Sequence, residues 1–167
     1  MGKAQFVENN QLVAGIIPVD FNTGANNGDW VSLKNYRHVA CVLYMAAGTA
    51  GDDPIFKMQQ ATAVAGTGVK DLLFDTVYTK AGTQTSTGTF TKVTQAAATS
   101  YTDATHAEIQ KIYIVEFDAE DLDAENGFDC IQMSVADVSG GANPQIGCGF
   151  YILSNPRYAP PLSAIVD

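Results

Sequence analysis

Apolar and polar residues alternate along most of this chain with the two-residue period of β-strands. Runs of this kind cover residues 12–19, 30–33, 38–45, 55–62, 69–80, 87–93, 111–117, 128–135 and 146–153. Several are rich in Val, Thr, Tyr and Phe, which fit a pleated, half-buried surface. Small flexible residues separate them, and the tripeptide Ala-Gly-Thr recurs at residues 47–49, 65–67 and 81–83. Only the turn chemistry repeats, so residues 38–93 read as an antiparallel meander and not as a true repeat. The run at 111–117 (KIYIVEF) is apolar on both alternating faces, Ile112 and Ile114 on one and Tyr113, Val115 and Phe117 on the other. That pattern predicts a central strand covered on both sides.

Helical signals are short. Residues 105–108 carry a capping-box pattern, and residues 119–122 have room for one turn before Gly127. Residues 20–29 (DFNTGANNGD) gather the Asn, Gly and Asp that tight turns favour. The pattern therefore predicts an all-β fold, an antiparallel β-sandwich or barrel of about eight short strands. At 167 residues the chain suits one domain. Residues 12–155 form that domain, between an N-terminal arm at 1–11 and an extended C-terminal tail at 156–167. The tail holds Pro156, Pro160 and Pro161, which favour extension, and it also carries Tyr158, Leu162, Ile165 and Val166. An extended apolar tail either folds back on its own core or lies on a neighbour.

Composition narrows the classes. With 46% apolar and 16% charged residues the chain has the material for a packed core. No run approaches the ~20 apolar residues of a membrane-spanning helix, and the first ten residues lack a secretory pattern. Gly2 begins a myristoylation-like start, but Phe6 stands where that motif needs Ser or Thr. The net charge of −9 opposes nucleic acid and anionic membranes alike. Neither is expected as a partner.

Candidate chemistry is sparse. Cys41, Cys130 and Cys148 each sit in an apolar run with no CxxC spacing, which predicts buried free thiols, with one disulfide as the alternative. Reduced thiols suit assembly in a cytoplasm. Acidic residues concentrate from Glu116 to Asp129 beside Gly127, but a calcium-loop register fails because Gly127 falls one place late and Gln132 replaces the bidentate Glu. A solvated charged turn is the expectation there, and a divalent-cation site the alternative. His38 and His106 are read as structural or exposed, no Gly-x-Ser-x-Gly elbow occurs, and Gly66-Thr67-Gly68 reads as a turn. No metal, cofactor or catalytic residue is assigned, and an enzyme is the last choice.

Four segments carry a resemblance: residues 28–38 (GDWVSLKNYRH), 90–96 (FTKVTQA), 115–123 (VEFDAEDLD) and 151–158 (YILSNPRY). Taken together over residues 15–158, the chain resembles small virion structural proteins of tailed phages and prophages. The resemblance implies a capsid decoration, or cement, protein: a β-rich subunit, typically a trimer, that stabilises the capsid exterior by binding the major capsid protein across capsomers after assembly in the host cytoplasm. It implies no catalytic residue. Expected subunit or capsid contacts are Phe6 and Val7 in the arm, Trp30 and Tyr36 by the Asn/Gly turn, and Tyr158, Pro160, Leu162 and Ile165 in the tail. Extended arms can add strands to a partner's sheet edge. A head-tail neck or tail component is the alternative within virions, and a carbohydrate- or host-surface-binding β module is the alternative outside them.

Overall fold

A computed structural model describes residues 6–49, 51, 53–82, 88–106, 109–136 and 144–158, apart from the Glu8 side chain. A single helical turn, α1 (Phe6–Asn9), precedes β1 (Gln11–Asp20). A 3-10 turn at Phe21–Thr23, capped by the Asp20 carboxylate, leads to β2 (Asn26–Asn27), β3 (Val31–Ser32) and β4 (Tyr36–Met45). Then follow β5 (Ile55–Ala61), β6 (Lys70–Asp71), β7 (Phe74–Ala81), β8 (Thr91–Ala98) and β9 (Ser100–Thr102). The last strands are β10 (Lys111–Asp118), β11 (Cys130–Val135) and β12 (Ile146–Pro156), with a 3-10 turn at Ala124–Asn126 between β10 and β11.

The strands form two antiparallel sheets. The first runs β1-β12-β4-β10-β7-β8, and the second runs β2-β11-β5-β6, with β3 also on β11 and β9 on β5. This is an open sandwich, not a closed barrel. Twelve strands among the described residues replace the expected eight, because two- and three-residue pairings such as β2, β6 and β9 are too short to show a period.

The meander is corrected. β4 and β5 lie in different sheets, and the run expected at 69–80 divides. β6 pairs with β5 in the second sheet, the buried Leu72 donates its N–H to the Met58 carbonyl, and β7 then joins the first sheet beside β10. Within that region β5 pairs with β6 and β7 with β8, while β4 with β5 and β6 with β7 do not pair. Residues 119–122 form a turn and not a helix; the Asp121 carboxylate there accepts the Asp118 N–H, and the helical turn comes later at Ala124–Asn126. The capping-box reading at 105–108 falls partly outside the described residues.

The core lies between the sheets. Val39, Cys41, Leu43 and Met45 of β4, Tyr113, Val115 and Phe117 of β10, and Tyr151 and Leu153 of β12 face Phe56 and Met58 of β5 and Ile131, Met133 and Val135 of β11. Side chains of this size stabilise by about 1.5–3 kcal/mol each when fully buried. Tyr151 also ties the layers together. Between β2 and β3 the chain detours, and there the Tyr151 hydroxyl accepts the Met133 N–H at 2.8 Å and donates to the Asp29 carbonyl at 2.9 Å. Gly28 makes the close approach possible, since a Cβ on it would lie 2.9 Å from the Met133 carbonyl oxygen and 3.1 Å from the Tyr151 hydroxyl.

Candidate interaction surface

The two outward faces of the sandwich differ in kind. On the second sheet the outward rows mix kinds: Lys57 and Gln59 of β5 lie opposite the buried Ser134 and Gln132 of β11, Asp71 of β6 flanks Gln59, and the next pair, Ala61 and Cys130, is apolar and buried. β11 is buried along both of its faces. The first sheet is apolar in its outward central rows. Because directly opposed residues share a face, its register reads across the strands in rows. One row runs Ala14, Phe150, Val42, Ile114, Tyr78 and Lys92. The next row on one side is Leu12, Ile152, Ala40 and Glu116, and on the other side Cys148, Tyr44, Ile112 and Lys80.

Charge in the three central rows is confined to Glu116, Lys80 and Lys92, with His38 and Asp118 one row beyond at one end and Asp20, opposite Ile146, at the other. Leu12 is 57% and Tyr44 42% exposed, while Phe150, Ile152, Ile112 and Ile114 are half-buried by one another. Val42 and Ala40 sit lower, between the side chains of β12 and β10. The sequence signal for this surface was the two-faced apolarity of residues 111–117. β10 does lie inside the sheet, but within the described residues only its Tyr113, Val115 and Phe117 side is covered, by the second sheet. The expected cover on its Ile112 and Ile114 side is not supplied by those residues.

The expected contact residues separate into groups. Phe6 and Val7 are exposed on α1, which lies against β1 and β12. Tyr158 is exposed two residues beyond β12. Since Gln11 pairs with Leu153 and Tyr36 with Pro156, the arm and the start of the tail leave the same end of the first sheet. Pro160, Leu162 and Ile165 lie outside the described residues. Tyr36 is corrected: at the start of β4 it is 3% exposed and belongs to the core cluster, so its ring is already covered within the chain. Trp30 is half-buried over the 65–67 turn, with its ring Nε1 2.9 Å from where a Gly66 Cβ would stand. Alternation gave no sign of the Tyr36 burial, because Tyr36 has the parity of the outward-facing Ala40, Val42 and Tyr44.

Three polar clusters were tested as chemical sites. His38 Nδ1 lies 2.8 Å from Ser154 Oγ, and its Nε2 lies 4.0 Å from Glu116 Oε1. The order Ser, His, Glu suits nucleophilic catalysis, but the groups stand on adjacent paired strands where Ser154 is opposite His38 and His38 opposite Asp118. A flat sheet offers no pair of free backbone N–H groups aimed at a developing oxyanion. A 300 Å³ cavity beside Glu116 is lined by Leu73, Thr76, Phe117 and Asp121 among others, and by neither His38 nor Ser154.

The second cluster closes the β9 end. Asp103 accepts the Thr105 N–H at 2.9 Å and pairs with His106 Nδ1 at 2.8 Å. Burial alone would push the Asp103 carboxyl up, but the His106 ring, the Thr105 N–H and the neighbouring imidazole charge outweigh it and hold the group below its ordinary value. Tyr101 is pushed up to about 12 by burial and by Asp103. Tyr113 is pushed up further, first by burial and then by Asp103, to which its buried hydroxyl makes at most a long hydrogen bond. A 370 Å³ cavity lies alongside, lined by Thr79, Lys80, Tyr101, Asp103 and His106 among others. The Asp103–His106 pair fixes a turn and presents no nucleophile to a base.

The third is the acidic stretch. Asp123 pairs with Lys70 and accepts from Asn126, and the Lys70 hydrogen bond holds its carboxyl below the ordinary value. Asp129 meets Lys34 at 3.6 Å, and Asp121 serves a backbone N–H. Among the described residues no three His, Cys, Asp or Glu side chains converge as metal ligands. None of the three cysteines is in a disulfide: Cys41 and Cys130 are buried, and Cys148 is half-buried on the outer face, which corrects its expected burial. Burial pushes the Cys41 thiol well up. Among the described residues no helix is long and apolar enough to cross a membrane.

No family model, curated protein or solved structure matches the chain.

Proposed function

We propose that this chain is a non-enzymatic virion structural protein of a tailed phage or prophage, one that decorates the capsid exterior and stabilises it by binding across capsomers. The observation that carries the reading is the apolar outer face of the first sheet. A folded chain that leaves Phe150, Ile152, Ile112 and Ile114 only half-covered is completed by another protein surface, since large apolar patches mark association sites. The sequence resemblance supplies the kind of assembly, and the net charge of −9 suits an outer surface better than one facing packaged nucleic acid. The major capsid protein and further copies of the chain are the partners, the virion surface is the location, and neither nucleic acid nor membrane is a partner. Phe6, Val7 and Tyr158, exposed at one end of the first sheet, suit contacts that reach beyond a single capsomer.

The test adds purified chain to capsids of its own virion from which it has been stripped or deleted. Saturable co-sedimentation and a higher rupture temperature of the decorated capsid are expected. Removing residues 159–167 is expected to weaken attachment while the core stays folded. No co-sedimentation at tens of micromolar chain would overturn the decoration role.

A further inference from the structure

The geometry points to a second copy of this chain as the occupant of the outer face of the first sheet, the two copies packing face to face about a two-fold axis that runs across the strands along the Val42 row. This rests on the reading of the chain as an assembly subunit and names the partner of that face. It takes the place of the threefold arrangement that the resemblance implies.

Two observations select a second copy. The first is area. Six strands spaced about 4.8 Å apart and eight residues long at about 3.3 Å each give a face of roughly 600 Å². Two such faces bury on the order of 1,200 Å², the lower end of the range for specific, stable association. The second is charge. Copies that each carry −9 repel one another, so they meet with least penalty where carboxylates are few, and this face has Glu116 alone among its three central rows.

The axis makes a specific demand. Ile112 and Lys80 share the row on one side of Val42, and Glu116 lies in the row on the other side. A two-fold along the Val42 row exchanges these rows, bringing Lys80 of each copy over the β7–β10 pair that carries Glu116 of the other. Packed sheets stand about 10 Å apart, a gap that a lysine and a glutamate can bridge together. The pairing occurs twice by symmetry, as an isologous interface requires.

The experiment measures solution mass by light scattering on a sizing column between 1 and 100 µM (roughly the range that standard-size interfaces reach). The full chain is expected to reach about twice its 17.7 kDa. Ile114→Glu is expected to stay monomeric with an unchanged circular dichroism spectrum. Lys80→Glu and Glu116→Lys are each expected to raise the dimer dissociation constant at least tenfold, and the double reversal to return it to within about threefold of the original. Alkylation of Cys148 needs no substitution and gives an independent reading: its rate should fall at least fivefold from 1 to 100 µM. A monomer at 100 µM, a trimer, or a double reversal no tighter than the single ones would overturn the pairing. A monomer that still decorates capsids would overturn it while leaving the proposed function intact; a dimer that binds no capsid would sustain the pairing and remove the function.

Discussion

Two buried tyrosines of the core should answer the same substitution to different extents. Tyr151 and Tyr113 are both 0% exposed and both face the second sheet. The Tyr151 hydroxyl fills the break between β2 and β3, accepting the Met133 N–H and donating to the Asp29 carbonyl. Tyr151→Phe keeps the ring and leaves the Met133 N–H buried and unpaired, a loss of about 1–3 kcal/mol. The Asp29 carbonyl belongs to an exposed residue and can turn to water, adding up to about 1 kcal/mol. A total near 2–3 kcal/mol lowers the midpoint of a domain this size by about 5–10 °C. Tyr113→Phe removes a hydroxyl that makes at most a long hydrogen bond to Asp103. Little pairing is lost with it, so this change should lower the midpoint by clearly less than Tyr151→Phe does. Thermal unfolding followed by circular dichroism at 1 µM, with urea titration as a second measure, separates the two. A Tyr151→Phe midpoint within about 2 °C of the parent, or a Tyr113→Phe loss as large as that of Tyr151→Phe, would refute the assignment of the inter-sheet link to Tyr151.

Other consequences are as direct. Gly147→Ala places a Cβ 2.3 Å from Phe21 Cε2 and 3.0 Å from Met45 Cγ, so overpacking should cost about 1–3 kcal/mol in urea titration. Asp103 has a folded-state value below its ordinary 3.8, so its contribution to stability is present above that pH and is lost as pH falls through the folded value. Asp103→Asn should therefore flatten the fall of the midpoint below about pH 4, and an unchanged acid limb would contradict the Asp103–His106 pairing. In native protein at low concentration, Cys148 should react with a thiol reagent while Cys41 and Cys130 react only after denaturation. Peptide mapping of the labelled cysteines checks the order.

The strands were legible where alternation is long. Residues 38–45, 55–62, 111–117 and 146–153 correspond closely to β4, β5, β10 and β12. What alternation does not encode is which strands become neighbours. β12 reaches across the chain to lie between β1 and β4, a pairing fixed by tertiary packing and by Gly147 and Gly149, whose missing side chains admit Phe21 and Met133. The split of residues 69–80 between two sheets was hidden because Leu72 and Leu73 look like the interior of one strand. Tyr36 was misplaced because its burial runs against the alternation of β4, whose inward residues are Val39, Cys41, Leu43 and Met45. The interaction surface was half legible. The double apolarity of residues 111–117 announced a strand needing cover on both sides, but a sequence does not state whether that cover comes from its own chain. Trp30 over Gly66 gave no advance sign, because the contact joins turns far apart in sequence.

The most direct measurement is the copy number of the chain in virions purified on a density gradient, obtained by quantitative mass spectrometry against the major capsid protein. A capsid decoration protein is expected at a constant ratio of at least about one copy to ten, retained through repeated banding and unchanged in heads separated from tails. Absence from banded virions, or a few copies that follow the tails, would contradict the account.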